Sequence, residues 1–197
     1  DQFTFNINPN KIEEAITSKT KAILYADIFG QSGDIDKIMN IAKRNKLKVI
    51  SDTAQSPGAL YKGNFAGTLA DIGGFSLNYH KHIHCGEGGL VVTNNDHLAH
   101  RVKLIRNHGE AVLKTNNAND LANIIGHNFR LGEIEAAIAR QQLKKLKKFI
   151  LTRQSAAERL REGLKSLNGL KLPLIPSNCT HVYYVFGLIL DDKSISA

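Results

Sequence analysis

Two periods alternate in the hydrophobic pattern of the first third of the chain. Residues 21–29, KAILYADIF, form a β-branched, apolar run that predicts a strand. GQSGDID follows with turn chemistry, and Asp34 stands where a helix would be capped. In DIDKIMNIAKRN the apolar positions Ile35, Ile38, Met39 and Ala42 share one helical face. Residues 47–52, LKVISD, then read as a buried strand. Strand, helix and strand make one crossover unit, and right-handed crossover makes the two strands parallel neighbours in one sheet.

The middle of the chain has shorter periods and more glycine. GTLADIGGFSL precedes a strand at 89–94, GLVVTN, and NDHLAHRVKLIRNHG opens as a helix. A continuous helical pattern runs over 132–167, too long for an ordinary packed helix and suited to bending or to connecting two domains. Prolines in NGLKLPLIPSN mark a loop, and residues 181–190, HVYYVFGLIL, predict a further strand. An open, mostly parallel sheet binds ligands at the carboxyl ends of its strands, which is where Asp52 falls. Asp52 serves equally well there as a turn cap or as a ligand contact.

Composition narrows the class. With 197 residues, 42% hydrophobic and 22% charged, the chain has the balance of one globular domain, or of one domain and part of another. No apolar run approaches the roughly 18 residues that span a bilayer. The first ten residues, DQFTFNINPN, lack the basic and apolar regions of a targeting peptide. Cys85 and Cys179 have no CxxC partner, so the expected compartment is a reducing cytoplasm. The formal charge of +8 favours anionic partners. Much of it lies at Lys144, Lys145, Lys147 and Lys148, which on a helix fan outward from a stripe of Leu143, Leu146 and Ile150. No aromatics interleave with these lysines to stack on bases, so a solvated helix face is expected and nucleic acid is not.

Candidate chemistry concentrates in residues 75–89, FSLNYHKHIHCGEGG. His80, His82 and His84 alternate and would share one face of a strand, but only Glu87 is near to complete a metal set, so no metal is expected. The glycines of GEGGLVVTN lead into a strand, whereas phosphate-binding glycine loops lead into a helix. Lys81 is the remaining candidate: a lysine made nucleophilic by desolvation or neighbouring cations forms Schiff bases with carbonyl compounds. Pyridoxal phosphate chemistry also needs an acid beside the ring nitrogen, for which Asp52 is available, and phosphate donors, for which Ser76 is available. Lys81 taken alone reads as an ordinary surface lysine.

The set DTAQSPGALYKGNFAGTLADIGGFS with its following lysine, then GEGGLVVTN, LIRNHG and GHNFRLGEIEAAIARQQL, resembles the DegT/DnrJ/EryC1/StrS family. Members are pyridoxal-phosphate-dependent sugar aminotransferases of the aspartate aminotransferase fold, an α/β fold with a three-layer α/β/α arrangement around a mostly parallel sheet. The resemblance implies that residues 1–131 belong to the large cofactor-binding domain, 132–167 to a long connecting helix, and 168–197 to the start of a truncated α+β C-terminal domain. It implies that Lys81, five residues after Ser76, bonds covalently to the cofactor. By the same resemblance Asp52 pairs with the ring nitrogen, Gln55 lies near the ring hydroxyl, Ser76 contacts the phosphate, and Asn128 reaches the phosphate in a neighbouring subunit. The active site is therefore expected at a homodimer interface, with Tyr79, Arg130 and His181 facing substrate.

The implied reaction moves an amino group, with glutamate as donor, to a nucleotide-linked keto sugar in polysaccharide or secondary-metabolite biosynthesis. Two other outcomes stay open at this point. One is a non-catalytic regulatory or interaction role; the other is the sugar-dehydratase branch of the family, which carries histidine in place of the lysine and is disfavoured by Lys81. Relatives have an aromatic and a proline before the lysine where this chain has NYH, a difference expected to bear on substrate shape. The motifs match the middle of a family member, so the phosphate loop and the ring-stacking aromatic are expected outside this sequence.

Overall fold

The computed structural model describes residues 1–110 and 124–191, so the parts of the expected domains at 111–123 and 192–197 lie outside the described residues. A 3-10 turn at Pro9–Lys11 leads into α1 (Ile12–Ala15), β1 (Ala22–Ala26), α2 (Ile35–Arg44) and β2 (Lys48–Asp52). A two-stranded hairpin, β3 (Leu60–Tyr61) with β4 (Asn64–Phe65), precedes β5 (Ile72–Ser76), β6 (Gly89–Val92) and α3 (Asp96–Arg106). Then come α4 (Glu133–Leu143), α5 (Leu146–Leu164), and the short pair β7 (Leu170–Lys171) and β8 (Ile189–Leu190).

The main sheet has the order β1-β2-β5-β6, with β1, β2 and β5 parallel and β6 antiparallel. This is an α/β fold with a mostly parallel sheet. Register pairs Ile23 with Val49 and Tyr25 with Ser51, so alternate residues of β1 and β2 face α2 together. There Ile23, Tyr25 and Val49 pack against Ile35, Ile38, Ile41 and Ala42. Ile38 and Val49 are fully buried, each contributing roughly 2 kcal/mol of hydrophobic stabilisation. The opposite face is open, with Leu24 at 66% exposure. Asp34 caps α2 by accepting the Lys37 amide at 3.4 Å, and it also accepts the Tyr61 hydroxyl at 3.1 Å.

The single helix expected over 132–167 is two helices, broken at Lys144–Lys145. Both lysines keep right-handed backbone angles, but the Lys145 amide bonds to Gln142 O at 2.9 Å, three residues back, so the turn tightens there. The expected stripe splits accordingly: Leu143 is 60% exposed, whereas Leu146 and Ile150 pack inward. The strand expected over 181–190 is confined to Ile189–Leu190. Before it, the chain bonds to the turn after β1: Val182 N donates to Gly30 O at 2.8 Å and Val185 N to Phe29 O at 3.1 Å. Val182 and Tyr183 are buried against that turn and α5 rather than within a sheet, while Val185 and Leu188 stay exposed.

Two glycines make close approaches possible. Gly30 has φ +115, and a Cβ there would meet Tyr183 N at 2.7 Å. Gly73, in β5, passes so near Gly67 that a Cβ would overlap the Gly67 carbonyl oxygen. Gly73→Ala should therefore destabilise the full-length protein by roughly 2–3 kcal/mol through backbone overpacking, read as a lowered denaturation midpoint with unchanged m-value.

Candidate active site

Strand pairing fixes the first group of candidate residues. Asp52 ends β2 and is in register with Gly74 of β5, two residues before Ser76, so both sit at the carboxyl edge of adjacent parallel strands. Backbone bonds continue past the strands: Asp27 N donates to Asp52 O at 2.9 Å, and Thr53 N to Gly74 O at 2.8 Å. Asp52 Oδ1 accepts the Ala54 amide at 3.0 Å, which is the turn cap anticipated for it. Oδ2 has no protein partner among the described residues, and the side chain is exposed, so the cap leaves it able to meet a ligand. Gln55 Oε1 accepts the Phe29 amide at 2.8 Å, which aims its amide hydrogens elsewhere. Ser76 Oγ accepts the Asn78 amide at 3.2 Å and keeps its own proton to donate.

The stretch after β5 is a closed loop rather than a strand. Leu77 N donates to Gly88 O at 2.8 Å and Cys85 N to Leu77 O at 3.0 Å, so residues 78–84 leave and return at one point. Leu77, Ile83 and Cys85 form a buried anchor under the loop, packed by Leu146 and Phe149 of α5. Between loop and helix runs an open groove of about 580 Å3, lined by Tyr79, Lys81 and the three histidines on one side and by Phe149, Thr152 and Arg153 on the other. Asp52, Gln55 and Ser76 are not in its lining. His80 and His84 are exposed while His82 is buried, so the three imidazoles do not share a face. Among the described residues no group of three His, Cys, Asp or Glu side chains is arranged to hold a metal.

Lys81 makes no ion pair among the described residues; its Nζ lies 5.0 Å from the centre of the Tyr184 ring. His82 Nε2 stands 3.0 Å from Val182 O, and since a carbonyl only accepts, Nε2 carries the ring proton. Nδ1 is buried with no hydrogen-bond partner among the described residues. Burial, opposed by the bond to Val182 and helped by the charges of Arg153 and Lys81, pushes the His82 pKa down.

The other candidates lie elsewhere. Asn128 and Arg130 are exposed on a segment tied to the end of α3, through an Asn107–Asn128 bridge and an Arg130 Nη1 bond to Asn107 Oδ1 at 2.8 Å. Tyr79 is 69% exposed at the groove mouth. His181 is buried: its Nδ1 accepts the Tyr183 amide at 2.9 Å and its carbonyl accepts Gln154 Nε2 at 3.0 Å. Burial, with the charges of Arg161 and His82, lowers its pKa to about 4.

Three residues near these groups escaped the sequence reading. Tyr184 and Arg153 lie in segments read only as strand and helix. Asp27 had a signal, being a lone charge inside the apolar run YADIF. It is fully buried at the end of β1, where Oδ1 accepts Gly33 N at 2.9 Å and Oδ2 accepts the Thr53 hydroxyl at 2.7 Å. The Ser56 hydroxyl donates to its backbone oxygen at 2.6 Å, so Asp27 fastens the loop that carries Gln55.

Known proteins match this chain along nearly its whole length. The model of the DegT/DnrJ/EryC1/StrS aminotransferase family matches residues 1–196. A dTDP-3-amino-3,6-dideoxy-alpha-D-galactopyranose transaminase of Aneurinibacillus thermoaerophilus is 39% identical over 191 residues, 96% of this chain and 51% of that protein. The structure of S. venezuelae DesV in complex with a ketimine intermediate superposes with a TM-score of 0.87 at 30% identity, over 98% of this chain and 51% of that one. E. coli GDP-4-keto-6-deoxy-D-mannose-3-dehydratase with bound hydrated PLP gives 0.84 at 29% identity, over 98% and 53%. The chain thus spans about half the length of the relatives it matches.

Burial raises the Asp27 pKa to about 6, the hydrogen bonds from Thr53, Gly33 and Ser32 opposing the shift. The folded value lies above the unfolded one near 3.8, so this stabilisation is complete below pH 3.8 and is lost as pH rises through 6. The depressed His181 value acts oppositely, adding stability above pH 6.5 that is lost as pH falls towards 4. Asp27→Asn, neutral at every pH, should therefore stabilise the protein at pH 7 relative to pH 4 by roughly 2–3 kcal/mol when compared with wild type. Unfolding free energies of both proteins at the two pH values measure this, because the His181 contribution cancels in the difference.

Proposed function

Because this chain belongs to the DegT/DnrJ/EryC1/StrS aminotransferase family, we propose that it forms the core of a pyridoxal-phosphate-dependent aminotransferase acting on a nucleotide-linked keto sugar, with glutamate as amino donor. The observation that carries this reading is Lys81, held at a groove without a carboxylate partner, in a loop that starts at the strand edge shared by Asp52 and Ser76.

The uncommitted groups fit the cofactor's chemistry. Ser76 has a hydroxyl proton to give a phosphate oxygen, Gln55 has amide hydrogens for a ring oxygen, and Asp52 has a free carboxylate oxygen for a protonated ring nitrogen. When bound, pyridoxal phosphate supplies the electron sink for breaking the bond between hydrogen and the amine-bearing carbon. Lys81 Nζ would hold the cofactor and, as an amine without a carboxylate partner, would serve as the base and acid that takes and returns that proton. The free Asp52 carboxylate oxygen would favour a protonated ring nitrogen by countering its positive charge. Exposed Asn128 is assigned to the phosphate of a partner subunit's cofactor, and exposed Tyr79 and Arg130 to substrate. Buried His181 supports the site from behind, through its bonds to Tyr183 and Gln154. Homology to an E. coli dehydratase raises a second reaction on the same cofactor, but the nucleophilic amine at position 81 favours amino transfer.

In the full-length protein, Lys81→Ala should lose the covalently held cofactor and at least about 100-fold in turnover, and Asp52→Asn should lose turnover by a similar factor with the cofactor still bound. Product analysis with a nucleotide-linked keto sugar and glutamate should give an amino sugar; a deoxy keto sugar without nitrogen would assign the dehydratase reaction instead.

A further inference from the structure

Lys81 faces an aromatic ring, where a charged partner would be the usual neighbour of a lysine. We infer that Tyr184 is the positioning residue for Lys81, its ring face holding the ε-ammonium of this groove-lining residue. This rests on the aminotransferase reading for its functional meaning, although the pairing itself stands on geometry.

The distance of 5.0 Å from Nζ to the ring centre lies within cation–π range. Tyr184 is also enclosed by the histidines flanking Lys81: ring centres are 6.4 Å apart for His80 and 5.7 Å for His82. His82 brings no competing positive charge, because burial disfavours its protonation and its ring proton is committed to Val182 O. The remaining charged or titratable groups around the groove are Tyr79, His80 and His84 on the same loop and Arg153 on α5, with no acid among the described lining residues. Arg153 is turned to its own task, donating through Nη1 to Tyr183 O at 3.0 Å.

Tyr184 is set in place by backbone rather than by its hydroxyl. Val182 N and Val185 N bond to Gly30 and Phe29 on either side of it, and Gly30 permits the approach because it lacks a Cβ. The phenol oxygen makes no hydrogen bond among the described residues. An ammonium bonded to carboxylate oxygens must break short charge-assisted bonds before its nitrogen can react. A ring face attracts the same charge more weakly and accepts no proton, so it orients Lys81 while leaving Nζ available.

The test uses the full-length protein stripped of cofactor, with Lys81 acylation by an amine-directed reagent at about pH 7 quantified by peptide mass spectrometry. Without the ring, in Tyr184→Leu, the ε-ammonium loses the face that holds it, and the fraction of Lys81 modified in a fixed time rises about two- to fivefold. Tyr184→Phe, which keeps the ring, should behave as wild type; Tyr184→Gln replaces the leucine variant if that does not fold. An unchanged modified fraction in the folded Leu or Gln variant, or an equal rise in the Phe variant, would overturn the inference. Borohydride trapping of the cofactor on wild-type Lys81 is scored separately. A rise in the modified fraction without trapping leaves the ring–ammonium pairing standing and removes the aminotransferase reading.

Discussion

Parallel pairing of β1, β2 and β5 is the constraint on which the rest of the site depends. Hydrogen bonds from Asp27 N to Asp52 O and from Thr53 N to Gly74 O extend that pairing beyond the strands, so three chain segments leave the sheet at one edge in fixed register. Asp52, Gln55 and Ser76 are delivered by these exits, and the loop bearing Lys81 begins at the third of them. Gly73 is the tightest point of this arrangement, and the buried Asp27 carboxylate ties the first exit to the second. A one-residue slip in register would send these side chains to the opposite face.

The site also depends on keeping positive charge low in a basic chain. His82 and His181 are buried with their protonation disfavoured, and each hydrogen-bonds the segment that carries Tyr184. In the sequence His82 stood in a possible metal set and His181 was expected to face substrate; in the fold both are buried braces. That division leaves Lys81 as the charged group facing the Tyr184 ring.

The first strand, helix and strand were legible because burial on one face imposed clean periods: Asp34 caps α2, and Ile35, Ile38 and Ala42 face the sheet. Local chemistry was harder to read where tertiary contacts decide it. Nothing at Lys144–Lys145 marks a break, since neither proline nor glycine is there and the backbone stays right-handed. At the start of the run from His181 to Leu190, Val182 and Tyr183 are buried against a turn, and a pattern of polarity cannot distinguish that from a strand partner. For the site, Lys81 was singled out through the family resemblance, whereas its neighbour Tyr184 lies more than a hundred residues away along the chain and left no local signal. Asp27 is the instructive intermediate case, visible as one charge in an apolar strand yet meaningful only once Thr53 and Gly33 are seen to surround it.

The central claim is that Lys81 holds a carbonyl cofactor that exchanges with an amino donor. The absorbance spectrum of the full-length protein, recorded before and after addition of glutamate, tests it most directly. The account predicts a long-wavelength band from the cofactor bonded to Lys81, replaced on adding glutamate by a shorter-wavelength band as the amino group is taken up. A spectrum without a cofactor band, or a band that glutamate and other amino donors leave unchanged, would contradict it.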